Sequence, residues 1–197
     1  MVALLRSLTS DRGGTDTGLA LIDMTVEELA DELARLHEDS FGWALSCSGW
    51  DEPMAEDVLQ TAYLRVVSRK AVYKGRSPFR TWLFGVIARV AREENRRRRT
   101  RRSKAPELTV LMLDYGRVEE DALETIARSD ESRRLIATLN VLPRRQREVL
   151  QLVFYEGLTV AEAADVMGVS VGSARTHYDR GKKRMRKLLE GEARDRE

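Results

Sequence analysis

The segment Thr159–Met185, TVAEAADVMGVSVGSARTHYDRGKKRM, decides the fold. Thr159 and Glu162 have the three-residue spacing of a capping box, which predicts a helix from Val160 to about Met167. Gly168 ends it, because a left-handed turn costs glycine little. Ser170 is placed to cap a second helix, in which Ala174, Tyr178, Gly181, Met185 and Leu188 recur at alternating spacings of four and three and form the buried face. Ala163 and Ala164 are small enough for the two helices to approach closely, as a helix-turn-helix requires. Left outward are Ser173, Arg175, Thr176, Asp179 and Arg180, side chains that can donate to guanine, accept from cytosine or hold phosphates in a major groove. The plain alternative is a surface helix made soluble by its charges.

Working outward, SRRLIATLNVLP brings Leu135, Ile136, Leu139 and Leu142 onto one helical face before Pro143 opens the next helix. Residues 105–129 turn acidic and aperiodic and read as a linker. Ahead of them, TVEELADELARLHEDSFGWAL places Val26, Leu29, Leu33, Leu36 and Trp43 near helical spacing behind a capping box of Thr25 and Glu28. CSGWDEP breaks that pattern. MAEDVLQTAYLRVVSRK carries a stripe of Val58, Leu59, Ala62, Val66 and Val67, with Asp57, Gln60, Thr61 and Arg65 outward or on its flanks. After the turn VYKGRSPF, Ser77 and Pro78 have the types of an N-cap and first helical position for FRTWLFGVIARVAREENRRRR. The expectation is an all-α protein: a tail to residue 24, a helical domain at 25–103, a flexible linker at 104–129, a helix-turn-helix domain at 130–190 and a short tail at 191–197, with two modest cores.

Composition fits that reading. Of the 197 residues 34% are charged and only 6% aromatic, which suits small helical modules with large solvated faces. The single cysteine, Cys47, excludes an internal disulfide, and His37 and His177 alone make no zinc cluster, so neither metal nor cofactor is expected. The apolar opening MVALLRSLTSDRGG is interrupted by Arg6, and nothing later reaches the ~20 apolar residues of a membrane span; a cytoplasmic protein without membrane insertion is expected. There is no phosphate-cradling glycine loop and no nucleophile–base pairing, so no enzymatic activity is expected.

The net charge of +2 conceals an asymmetry: residues 1–60 hold 3 basic and 13 acidic side chains, residues 61–104 hold 15 basic and 2 acidic. The run ENRRRRTRRSK, Glu94 to Lys104, on the end of an apolar helix points to a polyanion as partner.

The surroundings of the helix-turn-helix, LPRRQREVLQLVFYEGLTVAEAADVMGVSVGSARTHYDRGKKRMRKL, resemble two families: output domains of LuxR-type response regulators and region four of bacterial sigma factors. The first block arbitrates, because AEDVLQTAYLRVV followed by GRSPFRTWLFGVIARVAREENRRRR resembles region two of the extracytoplasmic-function (ECF) sigma factors. The paired resemblance covers most of residues 25–190. It implies a protein that binds core RNA polymerase, brings it to a two-part promoter and helps to separate the strands. By the same resemblance Asp57, Gln60 and Thr61 would face the clamp helices of the largest polymerase subunit, and the second domain would meet the flap. The loop of Tyr73, Lys74, Arg76 and Ser77 would hold a flipped base, an extraction that an aromatic platform and cations can offset. Trp82 would act as a wedge, core packing being its plain alternative. Arg89, Arg96 and Arg97, with the run to Arg102, would lie along the DNA. Ser170, Ser173, Arg175, Thr176, His177, Asp179 and Arg180 would address the upstream element, and an acidic linker would suit the positive RNA exit channel. An anti-sigma factor is a further candidate partner. Three positions depart from the family pattern: Thr61 where Glu is usual, Val90 where Asn is frequent and His177 where Arg is common. The competing classes are a LuxR-type DNA-binding regulator and an adaptor whose basic patches meet acidic proteins.

Overall fold

The computed structural model describes residues 25–104 and 137–194, and every regular element among them is helical. The expected N-terminal tail, almost all of the linker, and Leu135 and Ile136 lie outside those residues.

The first block opens with α1, Val26–Arg35, under the expected capping box: the Glu28 amide donates to Thr25 Oγ1 at 3.2 Å and the Thr25 amide to Glu28 Oε2 at 2.7 Å. The single helix expected to continue from here is two. At Leu36 the backbone leaves helical geometry (φ −91°, ψ 6°), and α2, His37–Cys47, follows. That turn brings Leu33, Leu36 and Trp43 into one core. A left-handed pair, Gly49 (φ 72°) and Trp50 (φ 68°), then reverses the chain. Asp51 caps α3, Glu52–Val67, by accepting from the Met54 amide at 2.9 Å. Val58, Leu59, Ala62 and Val66 are buried as the stripe predicts; Val67 is half-buried and Tyr63 is buried as well. The long helix α4, Phe79–Lys104, begins one residue after Pro78, so the proline sits just ahead of the helix rather than at its first position. The Trp82 amide nevertheless bonds the Pro78 carbonyl at 3.1 Å.

The second block comprises a helical stretch at 137–141, α5 at Arg144–Leu150, a wide π turn at Gln151–Tyr155, α6 at Val160–Met167 and α7 at Val171–Arg194. Gly168 takes φ 66° between α6 and α7. Gly181 is a packing requirement: a Cβ there would lie 3.1 Å from Leu150 Cδ1 and 3.3 Å from Gln146 Cβ, so the bare backbone lets α7 close on α5. Tyr178, Met185 and Leu188 pack against Leu139, Leu142 and Leu150 beside it.

The two expected cores are arranged differently. That small cluster is separate, but the chief core runs through both blocks, joining Val149, Leu152, Leu158, Ala163, Val166 and Met167 to the interior of α2, α3 and α4. The two blocks touch at α4 and α6: a Cβ at Gly85 would stand at an ordinary contact distance of 3.9 Å from the Val166 Cα, and Val166 is 1% exposed.

Candidate nucleic-acid interface

The recognition end of α7 is held by its own cap. Ser170 Oγ accepts the Ser173 amide at 3.1 Å and lies 2.9 Å from the Ser173 hydroxyl, while Thr176 donates back to the Gly172 carbonyl at 3.0 Å. Three of the polar side chains assigned to the upstream element therefore have local bonds that a DNA contact would replace or share. Arg175 and Arg180 are exposed and have no ion pair or hydrogen bond from their side chains to other described residues. His177 is half-buried, and Asp179 is exposed with Lys182 Nζ 4.0 Å away. Lys182 also lies over the Tyr178 ring, 4.3 Å from its centroid, and Tyr178 stacks on Phe154. The expected buried face holds, with Ala174 and Gly181 buried and Tyr178, Met185 and Leu188 partly so.

On the other block, Tyr73, Phe79 and Trp82 form a triangle of rings with centroids 5.2–5.3 Å apart. The Tyr73 hydroxyl donates to the Ser77 carbonyl, tying the loop to the start of α4. Trp82 is half-buried within this aromatic cluster and packs against the chief core. Lys74 and Arg76 are exposed beside it, and Arg89, Arg96 and Arg97 are exposed along α4, with Arg97 3.8 Å from Glu94. Within the arginine run Arg98 is committed elsewhere: its Nη1 donates to Asp51 at 2.7 Å, the same carboxylate that caps α3.

Asp57 and Gln60 are exposed on α3 and Thr61 is partly covered. They line one shallow cleft with Arg65, Val90, Glu93 and Arg97. Arg65 and Glu93 close its floor with paired hydrogen bonds of 2.6 and 3.1 Å, and this pairing holds the Glu93 carboxyl below its ordinary range. Sequence reading left Arg65 without a partner, because the pair joins two helices 28 residues apart.

A second long-range feature escaped sequence reading altogether. Arg80, at the start of α4, reaches Glu156 on the other block, donating to its Oε2 at 2.8 Å and to its backbone carbonyl at 2.7 Å; it also contacts Asp39 of α2 at 3.1 Å. The Glu156 side chain is 2% exposed and its Oε1 has no hydrogen-bond partner. Burial pushes this carboxyl up to about 7 and Asp39 adds to the shift, while Arg80 and a hydrogen bond from Gln151 pull against it. A pKa raised on packing means that the stabilising contribution is complete below the ordinary carboxyl pKa and is lost as pH rises through about 7. The denaturant midpoint of Glu156→Gln is therefore expected to change less between pH 5.5 and pH 8 than that of the wild type. Parallel midpoints for the two proteins across that window would refute the assignment.

Among the described residues no helix is long and apolar enough to cross a membrane, and no three His, Cys, Asp or Glu side chains could hold a metal. The arrangement defines the chain as a helical, two-block binder of nucleic acid with a helix-turn-helix in its second block.

Comparison with known proteins makes the class specific. Residues 35–102 match Sigma-70 region 2 and residues 132–185 match Sigma-70, region 4. The ECF RNA polymerase sigma factor SigX of Bacillus subtilis is 30% identical over 143 residues, covering 71% of this chain and 73% of its own length. The ECF RNA polymerase sigma factor SigE of Mycolicibacterium smegmatis is 31% identical over 182 residues, covering 88% and 68%. Among solved structures, the sigma factor RpoE of Bartonella quintana, in complex with the anti-sigma factor NepR, superposes with a TM-score of 0.65 at 20% identity, covering 83% of this chain and 98% of that one. The chain belongs to the sigma-70 family and is a sigma factor of the ECF group, a protein that directs transcription initiation. The region 2 match decides against the LuxR-type alternative.

Proposed function

We infer that this chain binds core RNA polymerase and carries it to a two-part promoter, reading the upstream element with the first turns of α7 and opening the downstream element with the Tyr73–Ser77 loop and α4. One observation carries the reading: each family-matched block turns its candidate residues outward, Arg175 and Arg180 on one and Lys74, Arg76 and Arg89 on the other. Unpaired guanidinium groups at the start of a recognition helix are suited to guanine edges, and the Tyr73–Phe79–Trp82 cluster beside cations is suited to an unstacked base. The cleft of Asp57, Gln60 and Thr61 offers acceptors to the polymerase clamp. A solved relative is complexed with an anti-sigma factor, and a regulator of that kind is proposed as a partner here too.

The test starts from core RNA polymerase without DNA. Asp57→Arg combined with Gln60→Ala is expected to weaken core binding at least tenfold while leaving the thermal midpoint within a few degrees, because both side chains are exposed and off the apolar stripe. Wild-type affinity in the folded double variant would remove the clamp assignment. Run-off transcription with purified core enzyme on a genomic fragment library then identifies the promoter.

A further inference from the structure

Where the C-terminal end of α6 meets α4 and α5, the chain gathers more cations than it supplies carboxylates to meet them. Arg92 of α4 comes up beside Gly168, its Nη1 lying 3.9 Å from where a Cβ on that glycine would stand. Its Nε donates to the Ala88 carbonyl of its own helix at 2.9 Å, and its terminal nitrogens have no hydrogen-bond or ion-pair partner among the described residues. From α5, Arg145 reaches the same turn, its Nη1 donating to the Met167 carbonyl at 3.2 Å. Glu148 is the carboxylate at hand, and both its oxygens are taken. Its Oε1 accepts from Arg144 Nε at 2.8 Å and its Oε2 from Arg145 Nη1 at 3.0 Å. Three guanidinium groups therefore stand around one carboxylate.

Arg92 feels that imbalance. It is half-buried, and burial holds its guanidinium below its ordinary pKa; Glu148 opposes the shift, while Arg145 and Arg144 add to it. A cation held partly out of water beside two others is costly unless an anion meets it. The Met167 carbonyl, at a helix end that favours positive charge, answers one of the donors. Most stay unused. Arg144 employs only Nε and Arg145 only Nη1 in bonds to described residues, and Arg144 is exposed, so the group is reached from solvent on the α5 side. Guanidinium forks match phosphate oxygens with paired N–H bonds. A stiff duplex carries its phosphates along a rigid backbone, whereas a half-buried guanidinium between packed helices suits a small free anion.

We propose that Arg92, Arg144 and Arg145 form a binding site for a small phosphate-bearing anion, of the pyrophosphate or nucleoside polyphosphate class, beside the turn that precedes the recognition helix. The assignment stands on this geometry and not on the sigma-factor reading. Three cations against one carboxylate leave two positive charges, which an anion with adjacent phosphates neutralises and a single carboxylate does not. Glu148 keeps its place in the site by orienting Arg144 and Arg145, and the ligand takes the donors that Glu148 leaves over.

Pyrophosphate is the probe. Calorimetric titration of the full-length chain at constant ionic strength, without DNA or polymerase, is expected to show one saturable site with a Kd of about 1 mM or tighter. Arg92→Gln and Arg144→Gln are each expected to weaken it by about tenfold or more. Arg144 is exposed, so its variant carries the test should Arg92→Gln fold poorly. Citrate, which brings similar charge without phosphate, is expected to bind about tenfold more weakly than pyrophosphate. The arginine run is the competing locus, and Arg99→Gln combined with Arg101→Gln is expected to leave the pyrophosphate affinity unchanged. Titration without saturation overturns the proposal, as does wild-type affinity in Arg144→Gln or a loss confined to the variant in the arginine run. Citrate binding as tightly as pyrophosphate overturns the phosphate class. A second titration uses a DNA duplex: if Arg144→Gln weakens duplex binding and leaves pyrophosphate binding as it was, the phosphate belongs to DNA and the proposal fails.

Discussion

Trp43→Ala is expected to cost about 3–5 kcal/mol of stability, the loss typical of a large aromatic ring removed from a packed core. The ring is 1% exposed, stacks on Phe84 with centroids 6.1 Å apart, and donates its Nε1–H to the Phe84 carbonyl at 3.0 Å. It therefore fastens α2 to α4 through both packing and a hydrogen bond. Trp43→Phe keeps most of the packing and gives up the hydrogen bond, so it should recover all but about 1–2 kcal/mol. Denaturant unfolding measures both, and the alanine variant should lower the thermal midpoint by on the order of 10 °C. Because α4 also carries Trp82, Arg89 and Gly85, the damage should extend to promoter opening and to the contact with α6 together. An alanine variant within 1 kcal/mol of the wild type would contradict the core described here.

Arg175→Ala should cost roughly 1–3 kcal/mol on the preferred upstream element, about 5- to 150-fold in affinity, and should flatten the preference at one base position. The guanidinium is exposed on the first turns of α7 and has no partner among the described residues, so its removal leaves the fold undisturbed. Lys183→Ala, two turns further along an exposed face, should weaken binding about equally on all sequences and lower the salt slope by at most about one unit. Lys182 is a poorer probe, because its ammonium sits over the Tyr178 ring. Titration against a library of upstream elements at two salt concentrations compares the variants. An unchanged base profile for Arg175→Ala together with an altered one for Lys183→Ala would mean that the helix docks in another register.

Legibility in the sequence followed the range of the interactions. Both capping boxes, the left-handed Gly168 and the stripe of α3 act within four residues, and each was readable as written. The helix break at Leu36 was not, because its side chain continues the apolar period while its backbone departs from it. Tyr63 escaped for a related reason: a tyrosine reads as boundary material until a partner for its hydroxyl is known, here the Leu33 carbonyl and His37. In the candidate site, outward-facing residues were legible because a helical period sorts faces. Arg65–Glu93, Arg98–Asp51 and Arg80–Glu156 were not, since they depend on which helices meet. The shared core was hidden in the same way, as Gly85 and Val166 carry no local sign that they face each other.

The π turn at Gln151–Tyr155 has a consequence best stated as phase. Its hydrogen bonds run one residue wider than those of an α-helix, the Glu156 amide returning to the Gln151 carbonyl at 3.1 Å. One additional residue turns whatever follows by about 100° around the axis. Phe154 and Tyr155 are thereby swung into solvent, 65% and 76% exposed, while Glu156 is swung inward to meet Arg80. A single-residue deletion between 151 and 155 would restore a regular helix and, with Arg80 and Glu156 both retained, point the carboxylate away from its guanidinium. The Arg80–Glu156 contact is set by a count of residues as much as by their identity, so length variation at this turn would decide whether the guanidinium finds its carboxylate.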